Sequence, residues 1–319
     1  MRKTFSTTLL SFVIAIGFAQ PVKENGRLHV SGLNLVNEKN QPVVLRGMSF
    51  GWHNWWPRFY NAGTVNWLKK DWGCNVVRAA MGVEPDGAYL SKPAWSKETI
   101  KAVIDAAIKE GIYVLVDFHS HHIRQKEAQQ FFTEIATEYG KYPNIIYEIF
   151  NEPDDKQNWP DVKAYSIELI KTIRAIDPHN VILVGSPHWD QDVHIVADDP
   201  IKGYNNLMYT LHFYAATHKQ QLRDRGDYAL KKGLPIFISE SAGMESSGNG
   251  PLNETEWTEW INWAEKHKIS WITWSVSDKD ETCSVLLPTA SSTGNWKTSD
   301  LKPSGIKTRE LIRKYNGTK

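Results

Sequence analysis

The sequence predicts a single α/β domain in which eight parallel strands alternate with helices and close into a (β/α)8 TIM barrel, preceded by a short N-terminal β-hairpin. Short runs rich in β-branched and aromatic residues alternate with longer amphipathic segments along nearly the whole chain, which is the pattern of successive β/α units. No G-x-G-x-x-G turn follows the first strand, so the usual reason to prefer an open dinucleotide-binding sheet is missing. A length of 319 residues also suits one barrel domain.

Turn residues and hydrophobic periodicity place the individual elements. The hairpin is predicted within residues 28–36, which the turn-rich stretch 37–42 follows. Helices are predicted where apolar residues recur at helical spacing, for example at 97–110, 161–176 and 254–266. The predicted barrel strands are 43–47, 75–80, 112–117, 145–150, 181–185, 207–211, 236–239 and 270–274.

Residues 1–19 predict a secretory signal peptide. Arg2 and Lys3 precede an apolar span that runs to Phe18, and we expect cleavage after the small residue Ala19. The span is too short to cross a membrane, and no later stretch approaches the necessary length. The expected product is a secreted chain, extracellular or periplasmic, in which residues 20–319 form one domain.

The charge balance argues against two classes of partner. The chain has 37 basic and 36 acidic residues, so its net charge is only +1. Neither a nucleic acid nor an anionic membrane is expected to bind to such a chain. The expected partner is uncharged, and no cofactor is predicted.

The two cysteines, Cys74 and Cys283, could form a disulfide in an exported protein. In the predicted barrel, however, Cys74 begins a strand and Cys283 lies in a loop beyond the end of another strand. Opposite faces of the barrel would hold the two sulfur atoms beyond bridging distance. The sequence therefore predicts two free thiols.

Two glutamates follow predicted strands in similar settings. The apolar run 145–150 stops on Asn151 and Glu152, because Pro153 cannot continue the strand. A second short apolar strand ends at Glu240. Strict alternation would point Asn151 and Glu152 to opposite faces, so both can line one site only if the chain twists or bulges there. The alternative is that such a carboxylate only caps the next helix.

Polar and aromatic side chains follow most of the other predicted strands. In a parallel β/α barrel, functional groups gather at the carboxyl ends of the strands, so these side chains should share one rim. The rim residues outside the two glutamates are Arg78, His119, Asn151, Trp189, His212, Tyr214 and Trp274.

Two facing carboxyl groups can hydrolyse a glycosidic bond, one acting as the acid and the other as the nucleophile or base. The acid must hold its proton while the other group stays ionised, and Arg78 is the available cation to keep one carboxylate charged. Fourteen tryptophans add flat apolar surfaces, and Trp52, Trp55 and Trp56 crowd the first rim loop. An uncharged sugar could stack there.

Two alternatives remain open from the residues alone. His119-Ser120-His121-His122 follows a strand, and an H-x-H pair can chelate a divalent ion, with His212 as a third ligand. The other alternative is a sugar-binding protein that has lost catalysis, which the presence of both carboxylates argues against.

With these residues assembled, the chain resembles family 5 of the glycoside hydrolases, and within it the bacterial secreted endo-β-1,4-glucanases. The resemblance runs from Leu28 to Tyr315. It rests on an ordered set of motifs: Leu45-Arg46-Gly47-Met48-Ser49, Asn75-Val76-Val77-Arg78, Asp117-Phe118-His119, Ile149-Phe150-Asn151-Glu152-Pro153, Leu211-His212-Phe213-Tyr214-Ala215, Ile238-Ser239-Glu240 and Trp274-Ser275-Val276-Ser277-Asp278-Lys279-Asp280-Glu281.

The resemblance implies a cellulase that cleaves β-1,4-glucosidic bonds inside cellulose-type β-glucans with retention, without metal or cofactor. A monomer is expected. It implies that Glu152 is the acid/base and Glu240 the nucleophile. Mannan or xyloglucan is the alternative substrate. The implied supporting residues are Arg78, His119, Asn151, His212 and Tyr214, and the expected substrate-binding residues are Trp55, Trp189, Trp274, Lys279 and Glu281.

Two further expectations concern details of the family pattern. Many relatives have a histidine two residues after the serine of the first motif, where this chain has Gly51, with His53 nearby. No second module follows Tyr315, so we expect a catalytic domain without a carbohydrate-binding module.

Overall fold

Eight parallel strands form a closed barrel in the computed structural model, which describes residues 20–317. The predicted signal peptide, residues 1–19, lies outside the described residues. The twelve strands of the described part, in chain order, are β1 (His29–Ser31), β2 (Asn34–Val36), β3 (Arg46–Phe50), β4 (Val76–Gly82), β5 (Tyr113–His119), β6 (Ile145–Glu148), β7 (Ile182–Val184), β8 (Leu207–Thr210), β9 (Phe213–Tyr214), β10 (Ile236–Phe237), β11 (Ser241–Ala242) and β12 (Trp271–Val276).

The barrel strands pair in the order β10-β8-β7-β6-β5-β4-β3-β12. The ring closes where Ile238, directly after β10, pairs in parallel with Trp271 of β12. Two backbone hydrogen bonds support this closure: Ile238 N donates to Ser270 O at 2.9 Å, and Ile272 N donates to Ile238 O at 2.9 Å. Strands β9 and β11 pair beside the rim. The predicted (β/α)8 barrel is therefore confirmed.

Helices connect the strands around the outside of the barrel. Their bounds are α1 (Pro21–Asn25), α2 (Ala62–Trp67), α3 (Pro93–Glu110), α4 (Gln125–Tyr139), α5 (Trp159–Arg174), α6 (Pro187–Asp190), α7 (Val193–Asp198), α8 (Gln220–Lys231), α9 (Glu254–Lys266) and α10 (Pro303–Asn316). The predicted helix 254–266 is found with the same bounds, whereas α3 begins four residues earlier than predicted because Pro93 fits the first helical turn. None of the described helices is long and apolar enough to cross a membrane.

The predicted hairpin is present within residues 28–36. Its strands β1 and β2 are antiparallel, with His29 opposite Val36. The turn between them contains Gly32 at φ 60°, a conformation that glycine adopts without strain. Leu28 and Leu35 pack into the apolar layer at the bottom of the barrel, so the hairpin segment closes the end opposite the predicted rim.

Alternate residues of the barrel strands change from apolar to polar toward the carboxyl ends. In β4, Val76 belongs to the bottom apolar layer, and Arg78 follows two residues later with no exposed surface. In β6, Ile146 and Glu148 repeat this change. Because side chains two residues apart in a strand share a face, the barrel interior has an apolar floor and a charged layer above it.

The two cysteines are free and buried, as predicted. Burial raises the pKa of both thiols, so neither is reactive in the folded protein at neutral pH.

Thiol titration with Ellman's reagent should therefore give almost no reaction with the native protein and about two thiols per chain after denaturation without reductant. A denatured, unreduced protein with no titratable thiol would contradict the placement of Cys74 and Cys283.

Candidate active site

The two candidate carboxylates meet above the charged layer. Glu152 follows β6 and Glu240 follows β10. Three atoms lie within 4.8 Å of one another: a carboxylate oxygen of Glu152, a carboxylate oxygen of Glu240 and a ring nitrogen of His212. Residues encoded far apart in the sequence thus share one small space, which is the geometry that a two-carboxylate reaction requires.

The chain leaves β6 irregularly, and this directs both Asn151 and Glu152 to the site. Strand pairing ends at Glu148, earlier than predicted, so alternation no longer applies beyond it. Glu152 N donates to Ser120 O at 3.3 Å, which holds this segment beside the loop after β5. Asn151 Oδ1 accepts from Arg78 Nη2 at 2.6 Å, while Glu152 faces His212. A departure from strand geometry therefore brings the adjacent pair together.

Both oxygens of Glu240 accept hydrogen bonds. Arg78 Nη1 donates to Oε2 at 3.0 Å, and the Tyr214 hydroxyl donates to Oε1 at 2.7 Å. Arg78 is fully buried and also contacts Asp117 (2.9 Å) and Glu148 (2.6 Å). These contacts fix the orientation of the Glu240 carboxylate, and the guanidinium provides the cation that the sequence suggested for one of the two acids.

His212 is the partner of Glu152. Its Nδ1 lies 2.9 Å from Glu152 Oε1, and its Nε2 lies 2.8 Å from Ser239 Oγ and 3.3 Å from Asp190 Oδ2. Burial alone would lower the pKa of His212, but Asp190, Glu148 and Glu152 raise the pKa well above its usual value. His212 is therefore an imidazolium that donates from both nitrogens.

Asp190 reaches His212 through an unusual turn. His188, Trp189 and Asp190 in α6 all have positive φ, at 58°, 52° and 58°, a region that non-glycine residues rarely occupy. Trp189 N donates to Pro153 O at 2.8 Å, and Asp190 Oδ1 accepts from the backbone N–H of Ser186. The turn is thus tied to the segment that carries Glu152.

The proton distribution differs from the sequence expectation, in which the acid Glu152 holds the proton. Burial works to raise the pKa of Glu152, but the hydrogen bond and charge of His212 lower it below its usual value. Burial and the charge of Glu152 raise the pKa of Glu240, against the opposing effects of Arg78 and Tyr214. The expectation was wrong for the free protein because His212, rather than Glu152, carries the proton of this hydrogen-bonded pair.

Aromatic rings form one wall of the site. The His119 ring stacks on Trp274 with centroids 5.2 Å apart and planes 8° apart, and Trp52 meets the His119 ring edge-on at 4.3 Å. Burial, reinforced by the charge of Arg78, keeps the pKa of His119 well below its usual value, so the ring is neutral. His119 Nδ1 lies 2.7 Å from Asp117 Oδ2, which fixes the ring against Trp274.

An open cavity of about 290 Å³ lies above these groups. Of the expected substrate-binding residues, Trp55, Trp274, Lys279 and Glu281 line it, whereas Trp189 is not among its lining residues. Trp55 is 51% exposed, and Lys279 Nζ pairs with Glu281 Oε2 at 2.5 Å. The other lining residues are Trp52, Trp56, His119, His121, Glu152, Tyr214, Glu240, Ser246, Ser247, Gly248 and Cys283.

Several groups of the site were not found from the sequence. Glu148 lies within an apolar strand, and this was a usable signal, because a buried carboxylate needs a cation or hydrogen-bond donors. Asp117 lies two residues before His119 and carried the same kind of signal. No sequence signal marked Asp190, because the position of its side chain depends on the left-handed turn.

His53 does not take part in the cavity wall. It is fully buried, and its Nδ1 accepts a hydrogen bond from Gly82 N at 3.0 Å. Burial lowers the pKa of His53 to about 4, so its ring is neutral. At Gly51 an added Cβ would lie 3.0 Å from the Trp56 ring, so glycine permits close packing of that tryptophan.

The histidine set suggested for a metal is not assembled. Within residues 20–317, the group of potential ligands that comes together is Glu152, His212 and Glu240. This group does not suit a divalent ion, because His212 Nδ1 is already hydrogen-bonded to Glu152 at 2.9 Å and the Arg78 guanidinium lies 3.0 Å from Glu240.

A (β/α)8 barrel whose rim holds two facing carboxylates beside a wall of aromatic rings defines the class of barrel glycoside hydrolases. The family model described as "Cellulase (glycosyl hydrolase family 5)" matches residues 36–280. The chain belongs to this family.

Known relatives agree with this assignment. An endoglucanase of Clostridium saccharobutylicum is 42% identical over 299 residues, covering 92% of this chain and 66% of that protein. The chain thus spans just under two thirds of the length of that relative. A solved structure from Cytophaga hutchinsonii is 44% identical with a TM-score of 0.92, covering 93% of this chain and 97% of the other.

A second solved structure contains a sugar. The catalytic domain of a Thermobifida fusca endoglucanase, in complex with cellotetraose, is 31% identical with a TM-score of 0.87. The match covers 92% of this chain and 99% of that domain.

Proposed function

We propose that this chain hydrolyses internal β-1,4-glucosidic bonds of cellulose-type β-glucans with retention of configuration. The observation that carries the proposal is the approach of the Glu152 and Glu240 oxygens to within 4.8 Å. Retaining glycosidases place their carboxyl groups about 5 to 5.5 Å apart, whereas inverting enzymes leave roughly 6.5 to 9.5 Å for a water molecule. The short separation favours a covalent glycosyl-enzyme.

In the first step, Glu240 attacks the anomeric carbon and Glu152 protonates the leaving oxygen. Arg78 and Tyr214 hold the Glu240 carboxylate in one orientation. The proton comes from the His212–Glu152 pair and moves across their 2.9 Å hydrogen bond. This transfer neutralises Glu152, the neighbour whose charge most raises the pKa of Glu240. Protonation of Glu152 therefore also favours the ionised form of the nucleophile Glu240.

In the second step, water attacks the anomeric carbon of the glycosyl-enzyme and displaces the Glu240 carboxylate. Formation of the ester removes the negative charge from Glu240, so Glu152 and His212 are then the titrating groups of the centre. After giving up its proton, Glu152 is an anion that accepts a proton from the attacking water. The sugar is released with its original configuration.

Several groups are placed to bind the glucan chain. The exposed ring of Trp55 and the ring of Trp274 offer stacking faces, and the Lys279–Glu281 pair offers charged hydrogen-bonding groups to hydroxyls. Asn151 Nδ2 has no hydrogen-bond partner in the described part of the chain and is assigned to a sugar hydroxyl. Cellotetraose bound to the Thermobifida fusca relative supports a β-1,4-glucan rather than a mannan.

Trp189 is proposed as a contact on the leaving-group side. It does not line the catalytic cavity, but its backbone nitrogen is hydrogen-bonded to Pro153 O, next to Glu152. A sugar unit whose oxygen Glu152 protonates would extend toward this segment.

We also propose that the protein acts as an exported monomer. The pattern of residues 1–19 supports export, as does its similarity to bacterial endoglucanases such as the Clostridium protein. Every group assigned to the reaction comes from one chain, so the site needs no second copy.

A reducing-sugar assay on carboxymethylcellulose, mannan, xylan and xyloglucan tests the proposed function. We expect wild-type protein to release reducing ends fastest from carboxymethylcellulose, with a rapid fall in viscosity that marks internal cleavage. Faster release from mannan or xyloglucan would support the alternative substrate, and no release from any of the polymers would refute the proposed activity.

Exhaustive dialysis against EDTA should leave the rate on carboxymethylcellulose unchanged, because the Glu152–His212–Glu240 group does not suit a divalent ion. Metal content by mass spectrometry provides the control that the dialysis was complete. A loss of activity that zinc or another divalent ion restores would instead favour the metal alternative.

A further inference from the structure

Glu148 lies on the floor of the site, below the two reacting carboxylates. It is the last residue of β6 and has no exposed surface. Its strand neighbour on the same face, Ile146, belongs to the apolar layer beneath. A carboxylate at this depth is costly to bury unless specific partners compensate for the lost water.

The partners of Glu148 connect the two halves of the site. Its Oε2 accepts from Arg78 Nε at 2.6 Å, and the same guanidinium donates to Glu240. Its Oε1 lies 3.9 Å from His212 Nε2 and has no hydrogen-bond partner in the described part of the chain. The same imidazole bonds Glu152 through Nδ1. One buried carboxylate therefore faces both cations that control the reacting acids.

We propose that Glu148 is a positioning residue that sets the charge balance between the nucleophile Glu240 and the acid/base Glu152. It acts through Arg78 on one side and through His212 on the other, without touching the sugar. The proposal rests on the proposed function, because it assigns Glu148 a part in that reaction.

The other acids facing these cations do not replace Glu148. Asp117 faces Arg78 from β5, and Asp190 faces His212 from α6. Each of these two carboxylates contacts one of the two cations, whereas Glu148 faces both. Burial acts to raise the pKa of Glu148, but Arg78 and His212 together lower it. Glu148 is thus the buried acid whose charge reaches both cations.

Glu148→Gln tests the proposal because it keeps the size of the side chain and removes the charge. Without that charge, His212 should lose its proton more readily, and Glu240 should ionise at lower pH because Arg78 has one fewer anion to balance. Both limbs of the pH profile of kcat/KM on an aryl β-cellobioside should move to lower pH by about one unit. A merely structural role would lower the amplitude and leave both limbs in place.

Two further variants separate charge from packing. Glu148→Asp keeps the charge on a shorter side chain, so its limbs should move in the same direction by less than half as much. Asp177→Asn removes another buried carboxylate, the partner of the neighbouring Tyr147 hydroxyl at 2.8 Å, and should not move the limbs.

Three results would overturn the proposal: unmoved limbs in Glu148→Gln, equal shifts in all three variants, or a shift to higher pH. If Glu148→Gln does not fold, Glu148→Met, which also removes the charge, takes its place with the same expected shift, and unmoved limbs in that folded variant would contradict the proposal. Wild-type protein that cleaves neither cellobioside nor glucan would instead refute the proposed function.

Discussion

Glu240→Gln should lower kcat on carboxymethylcellulose by at least about 10⁴-fold, because an amide cannot form the glycosyl ester on which the two-step route depends. The substitution keeps the shape of the side chain, so an amide oxygen can still accept from Arg78. Substrate binding should change little, and the dissociation constant for cellotetraose, measured by calorimetry, should stay within a few-fold of the wild-type value.

The matched control for this variant is Glu259→Gln, an exposed glutamate on α9. It removes the same charge far from the cavity and should retain full activity. A Glu240→Gln protein that is folded and still cleaves the polymer at more than about 1% of the wild-type rate would show that Glu240 is not the nucleophile.

Glu152→Gln should produce a loss that depends on the leaving group. On the polymer, whose leaving oxygen needs a proton, we expect a fall of about 10²- to 10⁴-fold. On a dinitrophenyl β-cellobioside, whose leaving group needs no proton, formation of the glycosyl-enzyme should be nearly normal and its hydrolysis slow. A burst of dinitrophenol in stopped-flow measurements would record this pattern.

Added azide provides the internal control for the Glu152 variant. With a neutral glutamine in place of the carboxylate, azide can attack the glycosyl-enzyme without a base and should raise steady-state turnover, with β-cellobiosyl azide as the product. The assignment of Glu152 fails if the polymer and the activated substrate lose activity equally and azide has no effect.

The sequence predicted the barrel because each strand carried its own short apolar pattern and each segment between strands its own helical one. Strand ends were less predictable. The first barrel strand lies at Arg46–Phe50 rather than 43–47, since Gly47 looks like a strand terminator. In the barrel, Gly47 is instead required inside the strand, because an added Cβ would lie 1.8 Å from Val76 O of β4.

Some features of the candidate site were likewise predictable from the sequence, and others were not. Glu152 and Glu240 were identifiable because each follows an apolar strand, and parallel strands end at one rim. The proton distribution was not identifiable, because it depends on where Asp190 and Glu148 stand relative to His212. The approach of Asp190 results from three consecutive left-handed residues without a glycine, and no local sequence signal marks such a turn.

The measurement that most directly tests the central claim is a mass spectrum of the protein after reaction with 2-deoxy-2-fluoro-β-cellobiosyl fluoride. The fluorine at C2 slows both steps and the fluoride leaves easily, so a retaining enzyme accumulates its covalent intermediate. We expect one deoxyfluorocellobiosyl unit per chain, located by peptide sequencing on Glu240. A label on another residue, or no label from a protein whose first-formed product from a β-glucan is the α-anomer, would contradict the account.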